Sequence, residues 1–324
     1  MTRLRLADGF GQLDGRVHPL DGGRSGETFL VEAAGQQGVI RFYGRRPERA
    51  AIDHSLLRLV RGLVPVPQVL EARTGVGTAD SAGSPPYLLC EHLPGVRLDL
   101  LLSDPGTTER VRRSAGGHLG EALARLSGIP FLRAGRFTGP DLAVHPFGDG
   151  GLEDWVAEHR TSGAMASLSG AEIDGLLEVA VRAQTLLDGC TRVCLCHHDL
   201  AATNVLVDPD TGRLTGLVDW ERAHAGIPHA DLGRLLRFET DEVFCHAVLR
   251  SYAERAPNVR ADFLDRAWAA DLFTLVELAA DEVTGRLAGD AEPVRASELL
   301  RRIAVSGRLS GGRPDWLGGT SDQQ

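Results

Sequence analysis

The chain has 324 residues, with 44 acidic and 35 basic side chains and a formal net charge of −9. This acidic balance disfavours a non-specific nucleic-acid binder, and no run of eighteen apolar residues predicts a membrane span. The first residues lack the apolar core of a secretion signal, so we expect a cytoplasmic protein. Every basic residue is an arginine, because the sequence contains no lysine. Any cation that the chemistry needs must therefore be an arginine.

The first ninety or so residues are predicted to be β-rich. Strand-like runs lie on either side of the glycine cluster Gly22–Gly26, and Val39–Tyr43 forms another after a "GQQG" turn. Apolar residues at helical spacing then predict a helix over 47–63, which prolines at 65 and 67 end. A Gly/Ser/Pro-rich loop over 74–86 precedes the apolar strand that begins at Tyr87.

Beyond Gly95 the pattern changes to long amphipathic helices, which we expect over 111–126, 171–187 and 263–287. Short apolar runs at 193–196, 205–207 and 214–218 are predicted strands between turns. We therefore predict an α+β protein with a smaller β-sheet lobe (1–92), a larger mainly helical lobe (93–310) and a flexible tail (311–324).

The stretch from His197 to Asn204, "HHDLAATN", fits the pattern H-x-D-L-x-x-x-N of kinase catalytic loops. Phosphoryl transfer explains these residue types. A carboxylate such as Asp199 can orient a weakly nucleophilic hydroxyl and take its proton. Hard oxygen ligands such as the Asn204 amide and the Asp219 carboxylate suit the Mg²⁺ that neutralises a triphosphate. The adjacent histidines are not required as ligands of a transition metal.

The run "HHDLAATNVLVD…GLVDWERAHAGIPHADLGRLL", with "LVPVPQVLEA" and "PPYLLCEHLPGVRL" upstream, resembles the aminoglycoside phosphotransferase and choline kinase superfamily. The resemblance implies a bilobal, protein-kinase-like fold, ATP or GTP as phosphate donor and Mg²⁺ as cofactor. It makes Asp199 the catalytic aspartate, and Asn204 and Asp219 the metal ligands. Arg41 takes the place of the strand lysine that contacts phosphates.

The resemblance also assigns several supporting and nucleotide-binding residues. The acid that pairs with Arg41 would be Asp53, with Glu48 as the alternative. His197 and Asp231 would brace the catalytic loop. Residues expected to bind the nucleotide, through a glycine-rich turn or through the hinge between the lobes, are Gly23, Ser25, Gly26, Thr28, Glu91 and Leu93.

The predicted activity is transfer of a phosphate to the hydroxyl of a small molecule, with an antibiotic as the first candidate. Alternatives are a metabolic kinase of an amino alcohol or sugar, and a non-catalytic nucleotide-binding protein. Carboxylates such as Asp271, Asp281 and Glu282 could line a cleft for a cationic antibiotic, or could belong to solvated helix faces. His198 stands where the family most often has glycine, and could shape substrate access or fill a local gap. We expect a monomer or a homodimer, with neither a nucleic-acid nor a membrane partner.

Overall fold

The computed structural model describes residues 16–20, 27–33, 35–75, 85–282 and 296–311. These fall into two compact units, and each is described separately. The first takes up the described residues of 1–94 and adds two later segments, Phe137–Ala143 and Thr215–Glu221. The second holds the remainder. The lobes predicted from the sequence are continuous segments of the chain. They therefore could not place Asp219 in the same unit as the N-terminal sheet.

The first unit is built on an antiparallel sheet with the strand order β1-β2-β3-β5-β4. Its elements are β1 (Arg16–Pro19), β2 (Glu27–Ala33), β3 (Gln36–Phe42), α1 (Arg49–Val60), β4 (Val69–Arg73) and β5 (Tyr87–Glu91). A turn at Gly35, with φ of 77°, joins β2 to β3, so "GQQG" is already strand from Gln36 onwards. A small apolar cluster around Ile40 and Leu89 holds the sheet together.

The first helix, α1, shows why the N-terminal pattern folds as it does. Ile52, Leu56 and Val60 recur at four-residue spacing and are buried. The helix ends at Val60 because Gly62, with φ of 85°, and the prolines beyond it leave the helical region. The buried face fixes α1 beside the sheet, in contact with β4 and β5.

The second unit is mainly helical. Its helices are α2 (Leu98–Ser103), α3 (Glu109–Ser127), α4 (Leu152–His159), α5 (Gly170–Asp188), α6 (Ala230–Phe238), α7 (Glu242–Arg255), α8 (Phe263–Asp281) and α9 (Ala296–Ser306). Its short strands are β6 (Val96–Arg97), β7 (Pro130–Phe131), β8 (Gly135–Phe137), β9 (Val144–Pro146), β10 (Val193–Cys196), β11 (Val205–Val207) and β13 (His224–Gly226). Strand β12 (Leu214–Leu217) runs from this unit into the first, and Phe137 at the end of β8 also belongs there.

Helix α6 lies close against α8, and this packing positions the start of α6. A Cβ on Gly233 would lie 2.1 Å from the carbonyl oxygen of Ala267, so only glycine permits the approach. The guanidinium of Arg237 completes the contact, with Nε 2.5 Å from Oδ2 of Asp271. Its other nitrogens donate to the carbonyls of Leu309 and Trp268. Helix α6 is therefore held on several sides.

Candidate active site

The motif that begins at His197 forms the loop between β10 and β11, in the second unit. Its backbone is held by one carboxylate. Asp231, in the first turn of α6, accepts hydrogen bonds from the amides of His197 (2.9 Å) and His198 (2.7 Å). Because Asp231 is only 8% exposed, these charge-assisted bonds are sheltered from water. Each oxygen of the carboxylate thus holds one amide of the backbone that leads into Asp199.

The side chain of His197 acts from inside the same loop. It is fully buried, and its Nδ1 accepts a hydrogen bond from the amide of Asp199 at 3.4 Å. In the part of the chain that the structure describes, no group of three or more His, Cys, Asp or Glu side chains is arranged to hold a metal ion. The imidazole is an internal brace of the loop.

Asn204 lies at the far end of the loop, in a single 3-10 turn formed by Ala202–Asn204. Its Nδ2 donates to the carbonyl oxygen of Asp199 at 2.9 Å. With the amide nitrogen engaged in this way, the Oδ1 atom is the end of the side chain available to a hard cation. Asp199 as a residue is half-buried, so part of it is accessible from solvent.

His198 occupies a backbone conformation that favours glycine, with φ of 61°. Its ring packs edge to face against that of His224, 4.3 Å between centroids, and its Nε2 lies 3.2 Å from the hydroxyl of Thr274 on α8. Burial, followed by the proximity of His224 and several arginines, holds the pKa of His198 well below its ordinary value. The ring is therefore neutral and fills the space between β13 and α8.

In the first unit, Arg41 of β3 contacts the turn that follows β12. Its guanidinium lies 2.7 Å from Oδ1 of Asp219 and also forms an ion pair with Glu221. Burial alone would lower the pKa of Arg41, but the neighbouring Asp219 and Glu221 carboxylates outweigh it and raise the pKa. Thr28 lies directly opposite Arg41 on β2. Asp219 itself has a φ of 65°, an uncommon conformation for a residue other than glycine.

The acidic partner expected for Arg41 has a different ion pair. Oδ1 of Asp53 lies 2.6 Å from Nε of Arg49, one turn earlier on α1, and its Oδ2 accepts from the hydroxyl of Tyr43 at 2.9 Å. Burial raises the pKa of Asp53, and the nearby arginines oppose that shift. Glu48, the alternative, is exposed just before α1. Sequence reasoning missed Arg49, although its spacing of four residues from Asp53 is a recognisable helical ion-pair signal.

The remaining residues expected at the nucleotide lie partly within and partly outside the described ranges. The side chain of Glu91 accepts from the amide of Gln68 at 3.0 Å, and its own amide donates to the Gln68 carbonyl at 2.9 Å. This pair fixes the chain where β5 ends, and Leu93 lies half-buried just beyond it. Gly23, Ser25 and Gly26 lie outside the described residues.

The acidic cleft wall expected from the sequence requires correction at two of its three positions. Asp271 is 2% exposed and paired with Arg237, so it belongs to the contact between α6 and α8. Glu282 is also buried. Its carboxylate accepts from the amide of Ala296 and the hydroxyl of Ser297, at 2.6 and 2.7 Å, and so caps α9. Only Asp281 of the three is exposed.

Comparison with known proteins shows the family of this chain. Residues 16–271 match the family described as "Phosphotransferase enzyme family". An aminoglycoside 3'-phosphotransferase of Streptomyces fradiae is 26% identical over 272 residues, 76% of this chain and 89% of the relative. Viomycin phosphotransferase of Streptomyces vinaceus is 29% identical over 196 residues, 59% of this chain and 62% of the relative.

Solved structures show the same fold. A thermostable mutant of aminoglycoside phosphotransferase APH(4)-Ia, in a ternary complex with ADP and hygromycin B, aligns with a TM-score of 0.65 at 16% identity, over 94% of this chain and 96% of that one. The GDP complex of an aminoglycoside 2'-phosphotransferase mutant aligns with a TM-score of 0.62 at 20% identity, over 94% and 88%. Within the described residues, none of the helices has the length and apolar character that a membrane crossing requires. The predicted kinase-like α+β fold is confirmed, and the chain belongs to the phosphotransferase enzyme family.

Proposed function

We propose that this phosphotransferase transfers the γ-phosphate of ATP or GTP to a hydroxyl group of an antibiotic. The observation that carries the proposal is the braced catalytic loop. Asp231 holds the two amides before Asp199, His197 accepts from the amide of Asp199 and Asn204 donates to its carbonyl. A loop bonded at each of these points fixes the backbone from which the Asp199 carboxylate projects, and general-base chemistry requires a positioned carboxylate.

In the proposed reaction, the Asp199 carboxylate accepts a hydrogen bond from the acceptor hydroxyl. It takes the proton as the oxygen forms its bond to the γ-phosphorus and the bond to the leaving diphosphate breaks. Arg41 contributes a permanent positive charge toward the phosphates. The oxygens of Asn204 and Asp219 are the donors that would hold Mg²⁺, and a hard cation of this kind prefers amide and carboxylate oxygen. When bound, Mg²⁺ neutralises phosphate charge.

The substrate class rests on the relatives. Two of them, in Streptomyces species, are named for aminoglycosides and for viomycin, and solved neighbours hold hygromycin B or kanamycin. The neighbours also hold ADP, an ATP analogue or GDP, which supports a purine nucleotide as the donor. The formal net charge of −9 suits an acceptor that carries amines. We expect the reaction to take place in the cytoplasm, where ATP and GTP are available.

A panel assay tests this function. Purified protein with Mg·ATP or Mg·GTP is offered aminoglycosides, viomycin, choline and homoserine, and phosphorylated products are identified by mass spectrometry. Turnover with an antibiotic is expected, and Asp199→Ala should reduce kcat by about 10²- to 10⁴-fold. Asp210→Ala, at an exposed aspartate in the turn after β11, is the matched control and should retain wild-type turnover.

The outcomes separate the alternatives. Exclusive turnover of choline or homoserine would replace the antibiotic with a metabolic substrate. Nucleotide binding with no turnover of any acceptor would favour a non-catalytic protein. Full activity in Asp199→Ala would refute the assignment of the general base.

A further inference from the structure

The turn that carries Asp219 needs support from outside itself. Its φ of 65° places a residue with a Cβ in the left-handed region, which sterics disfavour for residues other than glycine, although less for aspartate and asparagine than for most. Such a conformation persists only when surrounding contacts over-determine it. One contact is internal, since the indole Nε1 of Trp220 donates to the carbonyl of Leu217 at 3.1 Å. A second comes from α1.

That second contact is made by Arg49, whose side chain is 13% exposed. Its terminal nitrogen donates to the carbonyl oxygen of Trp220 at 2.5 Å, while its Nε donates to Asp53 at 2.6 Å. Asp53 is in turn fixed by the hydroxyl of Tyr43. The guanidinium is therefore locked between a buried carboxylate and the backbone immediately after Asp219. Every group in this chain of contacts belongs to the first unit.

The contact of Arg41 with Asp219 is a less independent support during the reaction. In the proposed function the Arg41 guanidinium also binds phosphate and the Asp219 carboxylate also binds the metal, so these ligands compete with the direct ion pair. The contact of Arg49 with the Trp220 carbonyl uses neither of those groups. It can remain intact when nucleotide and metal are bound.

We infer that Arg49 is a positioning residue for the Asp219 carboxylate, and that it acts through the backbone of Trp220. The inference rests on the proposed function, because it assumes that Asp219 binds the metal. The helix acid Asp53, expected to pair with the strand cation Arg41, serves here to orient Arg49. The specific consequence is that loss of Arg49 weakens metal binding without altering recognition of the acceptor.

The test measures metal affinity directly. Mn²⁺, a paramagnetic substitute for Mg²⁺, is titrated into the complex of the protein with ADP, and free Mn²⁺ is followed by electron paramagnetic resonance. We expect Arg49→Met to weaken Mn²⁺ binding about tenfold, or about 1.4 kcal/mol. Arg49→Lys keeps a positive charge that can bond to either Asp53 or the Trp220 carbonyl, so it should weaken Mn²⁺ binding less. Arg58→Met, at an exposed arginine of the same helix, should match the wild type.

Two further readouts distinguish positioning from a loss of fold. The affinity for ADP in the presence of EDTA and the KM of the acceptor should both stay within twofold of wild type in Arg49→Met. If that variant does not fold, Mn²⁺ affinity is measured instead in Arg49→Lys and in Tyr43→Phe, which removes the hydroxyl that fixes Asp53. Mn²⁺ affinities within twofold of wild type in all the Arg49 variants that fold would overturn the inference, and so would equal losses of metal and ADP affinity.

The inference and the proposed function can fail separately. If the wild type binds Mn·ADP but phosphorylates no acceptor, the proposed function fails, and the Mn²⁺ affinities of the variants still decide the role of Arg49. If the wild type phosphorylates an antibiotic and Arg49→Met binds Mn²⁺ normally, only the inference fails. If the wild type binds no Mn·ADP, both fail.

Discussion

Replacing His198 tests whether the catalytic loop requires a left-handed backbone conformation at this position. The backbone φ of His198 is 61°, in a region that residues with a Cβ tend to avoid. Two variants separate the backbone from the ring. His198→Ala removes the ring and its contacts with His224 and Thr274 but keeps a Cβ, whereas His198→Gly removes both. The difference in unfolding free energy between these two variants therefore isolates the cost of the Cβ.

The expected magnitude follows from two opposing terms. A left-handed backbone costs an L-residue roughly 1–2 kcal/mol. Glycine loses more conformational entropy on folding, roughly 0.5–1 kcal/mol relative to alanine. The balance makes His198→Gly more stable than His198→Ala by about 0.5–1 kcal/mol. Ala201, three residues later with φ of −98°, provides the matched control. There the glycine substitution should destabilise by about 0.5–1 kcal/mol.

Urea denaturation followed by circular dichroism measures both pairs. The two glycine effects should have opposite signs, separated by about 1–2 kcal/mol. The contrary result is that glycine lowers the unfolding free energy equally at both positions, so that His198→Gly lies as far below His198→Ala as Ala201→Gly lies below the wild type. In that case the left-handed backbone is not a constraint on this loop. The glycine that the family most often has at this position would then need a cause other than backbone conformation.

Three other substitutions probe the supports of the site. Asp231→Asn leaves one of two loop amides without an acceptor, so we expect a loss of about 1–3 kcal/mol in unfolding free energy together with a lower kcat. Arg237→Met leaves Asp271 buried and unpaired, which should cost about 3–5 kcal/mol, and adding Asp271→Leu should restore part of it. Burial lowers the pKa of His229 to about 4. Between pH 6.5 and 4, His229 therefore binds a proton in the unfolded chain but stays neutral in the folded chain. The unfolding free energy falls as the pH is lowered through that range, by up to about 3 kcal/mol. His229→Asn, which tolerates the φ of 80° at this position, should reduce the slope.

Denaturant unfolding checks all three, with kcat as a second readout for Asp231→Asn. Wild-type stability in Asp231→Asn would mean that the loop holds its shape without that carboxylate. A double variant as unstable as Arg237→Met alone would show that the loss does not come from the uncompensated charge of Asp271. An unchanged slope between pH 4 and 6.5 in His229→Asn would assign the acid sensitivity to titratable groups other than His229.

Elements bounded by strong local signals could be predicted from the sequence almost to the residue. Strands β10 and β11 coincide with the apolar runs 193–196 and 205–207, because each run is short, buried and followed by turn residues. Helix α5 extends the predicted 171–187 by one residue at each end. Its start is fixed by Ser169, whose hydroxyl accepts from the amide of Glu172.

The burial of Asp271 could have been predicted as well, although we expected an exposed residue. It lies three residues after Trp268 and four before Leu275, both of which are buried, so helical periodicity places it on the apolar face of α8. An acid on such a face requires a buried partner. Periodicity cannot identify that partner, because Arg237 lies 34 residues away and meets Asp271 only when α6 packs on α8.

The contacts that matter most to the site are long-range and local composition does not encode them. Arg49 and Trp220 are 171 residues apart, and their contact depends on how the segment 215–221 joins the N-terminal unit.

The conformation of His198 could not be predicted for a different reason. The family pattern indicates a preference for glycine, whereas the structure shows a preference for a dihedral angle, which histidine meets at a steric cost.

The guanidinium of Arg41 has a consequence for the alkaline behaviour of the enzyme. A lysine at this position would lose its charge near pH ~10, and a kinase that depends on it would lose phosphate affinity there. An arginine stays protonated throughout the range in which proteins remain folded, and the carboxylates beside Arg41 raise its pKa further. Arg41 therefore contributes no basic limb to the pH–rate profile. In the proposed mechanism we expect the amines of the acceptor to set that limb, so its midpoint should change from one antibiotic to the next.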